Sequence, residues 1–484
     1  MSEKKESSST TMLGEHAVVI GGSIAGCLTA RVLSDYFDKV TIFEADTPPD
    51  EAVPRKGVPQ GNHIHALLSG GSAVLRKYFP AIHDDLVAAG ADYGDPLIKW
   101  RNYLGGAWFQ RIPSGLESYT MSRPLLEATV RKHTSAIPNI TLHVATPVSA
   151  YTWNESATTI TGVTLEASGE SIKADFVADV SGRNSKASDW IKKAGFTSPE
   201  RSNIGIDVGY TTFVVAEPPN NQRDWNILYT IQKDIPADTR GGGIFCIEGG
   251  RYLVSAQGYH NDYAPTDWEG FLAYFKSHPF PMIYETIKDC QPIGEAMEYR
   301  YAAYLRRHYE KLSDFPQGLV VLGDAMCSLN PVYGQGMTVA AKEVEHLDQC
   351  LQQCASTGHI AETFALGFFK GASKFVDAAW DAITVEDFRY PQTRGQRPKG
   401  YAFAKWLNRK FFALAATDKE FSVAFTKVIQ LVEPPESILK PKYLFKALFA
   451  RMPDYQGEPL YRPEAASVGA EKQQSDGAMG SNVP

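Results

Sequence analysis

His16-Ala-Val-Val-Ile-Gly-Gly-Ser-Ile-Ala-Gly26 is the stretch on which the reading of this chain turns. Residues 17–20 form a short apolar run with two Val and one Ile, the composition of a buried parallel strand. Gly21, Gly22 and Gly26 then open a helical pattern that runs through Cys27-Leu-Thr-Ala-Arg-Val-Leu33. Glycines at such a turn let the backbone approach a pyrophosphate, which rests on the free N–H groups of the helix N-terminus. A second strand, Lys39-Val-Thr-Ile-Phe43, ends in Glu44. An acidic residue there, 23 residues after Gly21, can accept the hydroxyls of an adenosine ribose; the usual spacing is about 20. A carboxylate at this place favours a ribose without a 2′-phosphate.

The turn departs from Gly-x-Gly-x-x-Gly at its middle position, where Ser23 stands. A side chain there moves the phosphate slightly outward or donates a hydroxyl to it.

Working outward, the chain has 484 residues, 43% hydrophobic and 21% charged, enough for two joined globular units. A net charge of −7 argues against nucleic acid as a partner. No apolar run approaches the ~18 residues of a membrane span, and the polar first ten residues lack the core of a secretory signal. Six cysteines, with no Cys-x-x-Cys pair, suit a reducing cytoplasm and suggest no metal site.

Along the chain, the residues after Glu44 form a loop, and residues 66–78 read as an apolar helix. Residues 100–111 read as a hairpin around Gly105-Gly106. Ser122 caps a helix with Pro124 in its first turn. Ile140-Thr-Leu-His-Val144 and Gly162-Val-Thr-Leu165 read as strands, and residues 174–185 as a strand ending in a turn. Residues 203–302 are strand-rich, with Gly249-Gly250 as a hairpin turn. Arg240-Gly-Gly-Gly243, with no helix after it, reads as a turn. Residues 337–452 are helical.

A second informative stretch lies almost three hundred residues downstream: Val321-Leu-Gly-Asp-Ala-Met-Cys-Ser-Leu-Asn-Pro-Val-Tyr-Gly-Gln-Gly-Met337. Together with Gly21–Gly26, Glu44, Ser122-Arg-Pro-Leu-Leu and Asp179-Val-Ser-Gly182, it resembles the FAD-dependent monooxygenases of the glutathione-reductase type. Those include the aromatic hydroxylases and squalene epoxidase. The resemblance covers roughly residues 15–395. Arg55-Lys-Gly-Val-Pro-Gln with its following His-x-His, and Pro434-Pro-Glu-Ser-Ile-Leu-Lys-Pro441, are similar to a branch of secondary-metabolism flavin epoxidases.

That resemblance implies an α/β fold: a Rossmann-like FAD-binding domain with an inserted mixed β-sheet substrate domain and C-terminal helices. The FAD-binding parts would be residues 15–90, 119–200 and 315–395. A substrate-sheet hairpin would span 91–118, the substrate domain 201–314 and the helical region 396–460, with disordered tails at 1–14 and 461–484. The implied FAD contacts are Gly21, Gly22, Ser23, Gly26, Glu44, Lys56, Gln60, Arg123, Val144, Asp179, Gly323, Asp324, Gly334, Gly336 and Met337. Asp324 would meet the ribityl and diphosphate region, Arg123 the phosphates, and the 334–337 backbone the flavin ring. A helix N-terminus aimed at the ring favours its reduced anion.

Asp179-Val-Ser-Gly182 departs from the Asp-Gly pair that aromatic hydroxylases use for both FAD and NADPH. No second glycine-rich strand–turn–helix is present, so NAD(P)H would reach the flavin transiently or through a separate flavin reductase. His63 and His65, two apart and facing one way if extended, are candidates for polar lining or proton supply at the flavin edge, or simply loop histidines bonded to backbone. Glu343, Glu345 and His346 read as solvated helix-face charge. Trp108-Phe-Gln-Arg-Ile-Pro113 partly matches the Trp-x-Trp-x-Ile-Pro stretch of flavin halogenases, with Gln110 replacing the second Trp.

In the last region, Phe403, Trp406, Leu407, Phe411 and Leu414 recur at helical spacing. Residues 397–451 hold eleven Lys or Arg against four Asp or Glu. This region reads as a helical cap with solvated lysines, or as a peripheral membrane contact. A pocket between an aromatic sheet and these helices would suit an apolar terpenoid, polyene or polyketide-like substrate. The expected activity is insertion of one atom of O2, by way of a flavin C4a-hydroperoxide, with alkene epoxidation before hydroxylation. The alternatives are a prenyl-reductase-like oxidase or reductase, and a flavoprotein whose pocket templates a non-redox cyclisation.

Overall fold

A computed structural model describes residues 11–219 and 223–453. The tail expected at 461–484 lies outside them, as does most of that expected at 1–14; Gly14 already begins a strand.

The first strand, Gly14–Ile20, is buried on both faces from Ala17 onward, as its unbroken apolar run requires. It occupies the middle of a five-stranded parallel sheet in the spatial order Leu319–Val321, Phe176–Asp179, Gly14–Ile20, Phe37–Phe43, Ile140–His143. The helix Ile24–Leu33 packs back on this sheet, and the helix Arg123–Ser135 packs on that helix. The Ser122 hydroxyl accepts from Leu125 N at the N-cap, as the Ser-x-Pro pattern predicts.

A mixed eight-stranded sheet forms the second layer. Its order is Cys327–Ser328, Met297–Arg307, Arg201–Ala216, Arg251–Gly258, Arg240–Ile247, Ile227–Thr230, Trp100–Leu104, Ala107–Trp108. Neighbours are antiparallel except Ile227–Thr230 beside Trp100–Leu104. The predicted hairpin at Gly105-Gly106 is thus an edge of the same sheet that the 201–307 strands build. Both the α/β architecture and the parallel-plus-mixed sheet pair follow the sequence reading.

Three readings change. The helix expected over residues 66–78 starts at Ser69, because Leu67 is taken into a bridge with Tyr119. Gly241, Gly242 and Gly243 are not a turn but lie inside the strand Arg240–Ile247. A Cβ on Gly242 would stand 2.6 Å from the Phe275 ring, and one on Gly243 2.7 Å from the Tyr229 ring. These glycines therefore make room for aromatic side chains. Residues 203–302 also contain two helices, Trp268–Lys276 and Met282–Ile287, which cover the outer face of the sheet through Phe271, Phe275 and Ile283. Among the described residues five helices follow: Gly336–Thr357, Phe364–Asp387, Tyr401–Thr417, Lys419–Ile429 and Pro441–Phe449. No helix among the described residues is long and apolar enough to cross a membrane.

Candidate functional site: a dinucleotide cleft opening on an apolar cavity

All five parallel strands end on one side, and the expected contacts gather there. Gly21 and Gly22 follow Ile20, Glu44 follows Phe43, Val144 follows His143, and Gly323 and Asp324 follow Val321. The carboxyl end of such a sheet is where open α/β folds bind ligands.

The glycine turn has the geometry a phosphate needs. Gly21 sits at φ +105°, where a side chain would be strained, and its Cβ would lie 2.5 Å from the Val180 carbonyl oxygen. A Cβ on Gly26 would fall 1.8 Å from the Gly21 carbonyl oxygen, so only glycine allows the helix to approach the strand this closely. Ser23 has ordinary extended backbone as the N-cap of Ile24–Leu33 and uses its side chain on nothing in its own helix. Instead its hydroxyl accepts from Arg123 Nη2 at 3.0 Å. With its oxygen engaged as an acceptor, the Ser23 hydroxyl still has a proton to donate.

Arg123 belongs to a buried charge network. It pairs with Glu127, which also binds Arg55 Nε at 2.7 Å; Arg55 reaches Glu44 at 3.4 Å and Asp46 at 3.1 Å. The surrounding guanidinium groups hold the Glu127 carboxyl below the usual range despite its burial. Glu44 Oε2 accepts from Gly22 N at 2.7 Å and Oε1 from Asp46 N at 2.9 Å. Oε2, with Gly22 N as its one donor, keeps a second lone pair for a ribose hydroxyl. Arg55 takes its role from these three carboxylates, which no local motif around it announces. Lys56, beside it, is exposed, and Val144 is exposed next to Glu44.

On the other side, Gly323 (φ +65°) begins a turn of helix that carries Asp324. Burial raises the Asp324 carboxyl above its ordinary range, against the pull of Arg123 and Arg183. Among the described residues it accepts no hydrogen bond, and it lies 3.9 Å from where a Gly336 Cβ would be. The N-terminus of Gly336–Thr357, with Met337 half-buried in its first turn, therefore meets Asp324. Arg183 was not anticipated. Its guanidinium lies 4.6 Å over the Tyr301 ring, and its buried Nη1 has no partner.

Glu343 corrects the expectation of solvated charge. It is fully buried, and its Oε2 accepts from Gly323 N at 2.5 Å. Burial pushes its carboxyl up to about 8. It underpins the Gly323–Asp324 turn from within. Its neighbours Glu345 and His346 are half-buried, Glu345 beside Lys342 and His346 stacked on Phe368. The fully buried Asp179 carboxylate is occupied by Tyr151 Oη (2.7 Å), Ser181 N and Oγ, and Ser185 Oγ. It shapes the turn that precedes Arg183.

The 331–335 backbone links this cleft to a cavity of about 1010 Å³. Gln60, His63, His65, Gly334 and Gln335 line one end. Trp100, Tyr210, Ile227, Tyr229, Phe245 and Tyr299 of the mixed sheet form one wall; Phe403, Leu407, Phe411 and Phe425 of the C-terminal helices form the other. The turn Pro331–Tyr333 is pinned from several sides. Tyr229 Oη donates to Val332 O at 2.8 Å, while Asn330 Nδ2 (3.0 Å) and Tyr333 Oη (3.1 Å) donate to the buried Asp387 carboxyl. Burial pushes Asp387 up to about 7 against these donors.

His63 and His65 are both drawn into the cavity wall, and not as acids. Desolvation pushes His63 down to about 3 and His65 to about 4, so both are neutral at ordinary pH. His63 Nδ1 meets Thr212 Oγ1 at 2.7 Å, Thr212 meets Ser255 Oγ, and Ser255 Oγ accepts from Ile64 N at 3.4 Å. Using every buried hydroxyl proton requires Ser255 to donate to Thr212 and Thr212 to His63 Nδ1. His63 Nε2 then carries the ring proton as a hydrogen-bond donor. His65 Nδ1 contacts His63 O at 3.0 Å, the plain backbone bond foreseen for it.

Trp108 packs against Tyr103 and Phe280 and is absent from the cavity wall, so the partial halogenase stretch serves the hydrophobic core. Among the described residues no group of three or more His, Cys, Asp or Glu is placed to hold a metal.

The chain matches no protein-family model. It is 28% identical over 441 residues to Protein Rv3254 of Mycobacterium tuberculosis, covering 87% of this chain and 90% of that protein. Among solved structures it resembles the flavin-dependent brominase Bmp2, with a TM-score of 0.61 and 15% identity over 86% of this chain and 93% of the other. It also resembles PqsL, described as a probable FAD-dependent monooxygenase from Pseudomonas aeruginosa, with a TM-score of 0.57 and 16% identity over 78% and 97%. The fold is therefore that of FAD-dependent monooxygenases and flavin-dependent halogenases, as the motifs anticipated.

Proposed function

We propose that this chain is an FAD-dependent monooxygenase that inserts one oxygen atom of O2 into an apolar secondary metabolite, by alkene epoxidation or, second, hydroxylation. The observation that carries the reading is the continuity of the large apolar cavity with the 331–335 backbone at the N-terminus of Gly336–Thr357. That continuity supports a substrate lying beside the end of the cleft where a flavin ring would lie.

The residues present fit such a cofactor. The glycine turn leaves the room that a Cβ would fill, and Ser23 and Arg123, in contact beside it, would meet the pyrophosphate. Glu44 has acceptors for the ribose, and Asp324 has unused ones for the ribityl chain. Bound and reduced, FAD would supply the activation of oxygen. The chain's own residues bind, orient and exclude water. The aromatic wall would keep the cavity dry, with neutral His63 packed into its end. NAD(P)H would reduce the flavin directly or through a separate flavin reductase.

Reconstitution with FAD, followed by reduction with NADPH in air, tests this reading. The expected result is a yellow protein whose peroxide yield per NADPH falls when a terpenoid or polyene substrate is added. Stoichiometric peroxide with every such substrate would favour an oxidase, and failure to retain FAD would remove the reading.

A further inference from the structure

The exposed large apolar side chains are concentrated in one region. Among the described residues, eight of the thirteen exposed large apolar side chains lie between Phe403 and Phe449, although this segment is about a tenth of the chain. Leu444, Phe445, Leu448 and Phe449 share one face of the helix Pro441–Phe449, with the Phe445 and Phe449 rings 5.3 Å apart. Phe445 is 64% exposed and Phe449 70%. Phe403, Val432 and Leu439, also exposed, line the cavity itself, so the patch continues into the cavity mouth through the residues just before Pro441. Patches of this kind on a folded chain mark interaction sites.

Charge identifies the occupant. Residues 397–451 carry +7 in a chain of net −7. Lys442 and Lys446 pair with Glu420 and Asp418, but the exposed Lys399, Arg409, Lys419, Lys440 and Arg451 pair with no carboxylate among the described residues. Aromatic and aliphatic side chains interleaved with unpaired cations match an anionic lipid surface, where apolar side chains insert and cations meet headgroups. We infer that the surface around Phe403 and the Pro441–Phe449 helix docks on anionic bilayers and sets the cavity mouth against the lipid, from which an apolar substrate enters. The docking itself does not depend on a bound flavin.

Flotation of the full chain with vesicles tests this. One vesicle set is phosphatidylcholine alone; the other is equimolar phosphatidylcholine and phosphatidylglycerol. The expected result is about tenfold or more tighter binding to the anionic vesicles, weakened by high salt. It should be lost in Phe445→Ser/Phe449→Ser, which leaves the circular dichroism spectrum and FAD retention unchanged. A chain that stays in the soluble fraction with both vesicle types would overturn the inference. So would a dimer in gel filtration that the same double substitution turns into a monomer, since a second copy would then cover the patch. FAD retention is read in the same samples, so failure of docking and failure of the flavin reading are distinguishable.

Discussion

Arg123 Nη2 and Ser23 Oγ, 100 residues apart in sequence, meet at 3.0 Å. The serine that breaks the glycine fingerprint is thus not an empty substitution. It is a hydroxyl held by a guanidinium beside the glycine turn. Ser23→Ala keeps the backbone and removes the donor. It should weaken FAD binding by about 1 kcal/mol, or several-fold in Kd, measured by flavin fluorescence on titration, with little change in thermal stability. Arg123→Ala additionally strips a partner from buried Glu127, so it should also destabilise the fold, by about 3 kcal/mol.

Glu343 should impose a pH dependence on stability. Its folded carboxyl lies at about 8, above the ordinary 4.5. Its contribution is therefore fully present below about pH 4.5 and is lost as pH rises through about 8, a change on the order of 4 kcal/mol. Glu343→Gln keeps an acceptor for Gly323 N and does not titrate. Urea denaturation at pH 5 and pH 9 should show the wild type losing more stability than this variant at the higher pH.

His63 works in the opposite direction. Its folded value of about 3 lies below the ordinary 6.5. The stability it lends is present above pH 6.5 and drains away as pH falls toward 3, amounting to about 3 kcal/mol by pH 4. His63→Phe should be less stable at pH 7, having lost the Thr212 bond, yet should lose less on acidification. Parallel melts at pH 7 and pH 4 report both effects.

Asp387 holds the Pro331–Tyr333 turn by accepting from Asn330 and Tyr333. Asp387→Asn replaces one acceptor with a donor and leaves one of these groups without a partner, at a cost of about 1–3 kcal/mol. Because the turn leads into Gly334 and Gly336, FAD retention should fall along with the melting temperature.

The glycine turn, Glu44, the Ser122 cap and the paired sheets were legible because each is a local pattern: an apolar run, a spacing, a cap. Glu343 was misread because charge usually marks a solvated face. The signal against that was present, since Val339, Glu343, Leu347 and Leu351 recur every fourth residue and form one buried stripe. Asp179 carried a strand-end position but not the serines and tyrosine that saturate it, two of which come from its own turn and one from a distant strand. Gly241–Gly243 resembled a turn because no sequence pattern reports the rings of Tyr229 and Phe275 packing over a strand. Arg183 and Arg55 acquire their meaning only from partners far along the chain.

Oxygen-18 labelling tests the central claim most directly. The FAD-reconstituted, NADPH-reduced chain is supplied with labelled O2 and a panel of terpenoid, polyene and polyketide substrates, and the products are weighed by mass spectrometry. The account predicts one labelled oxygen atom per product molecule for a substrate that fits the cavity. That product should disappear in Ile227→Trp, which fills the cavity wall while FAD remains bound. A product that carries oxygen from water alone, or turnover undiminished by Ile227→Trp, would contradict it.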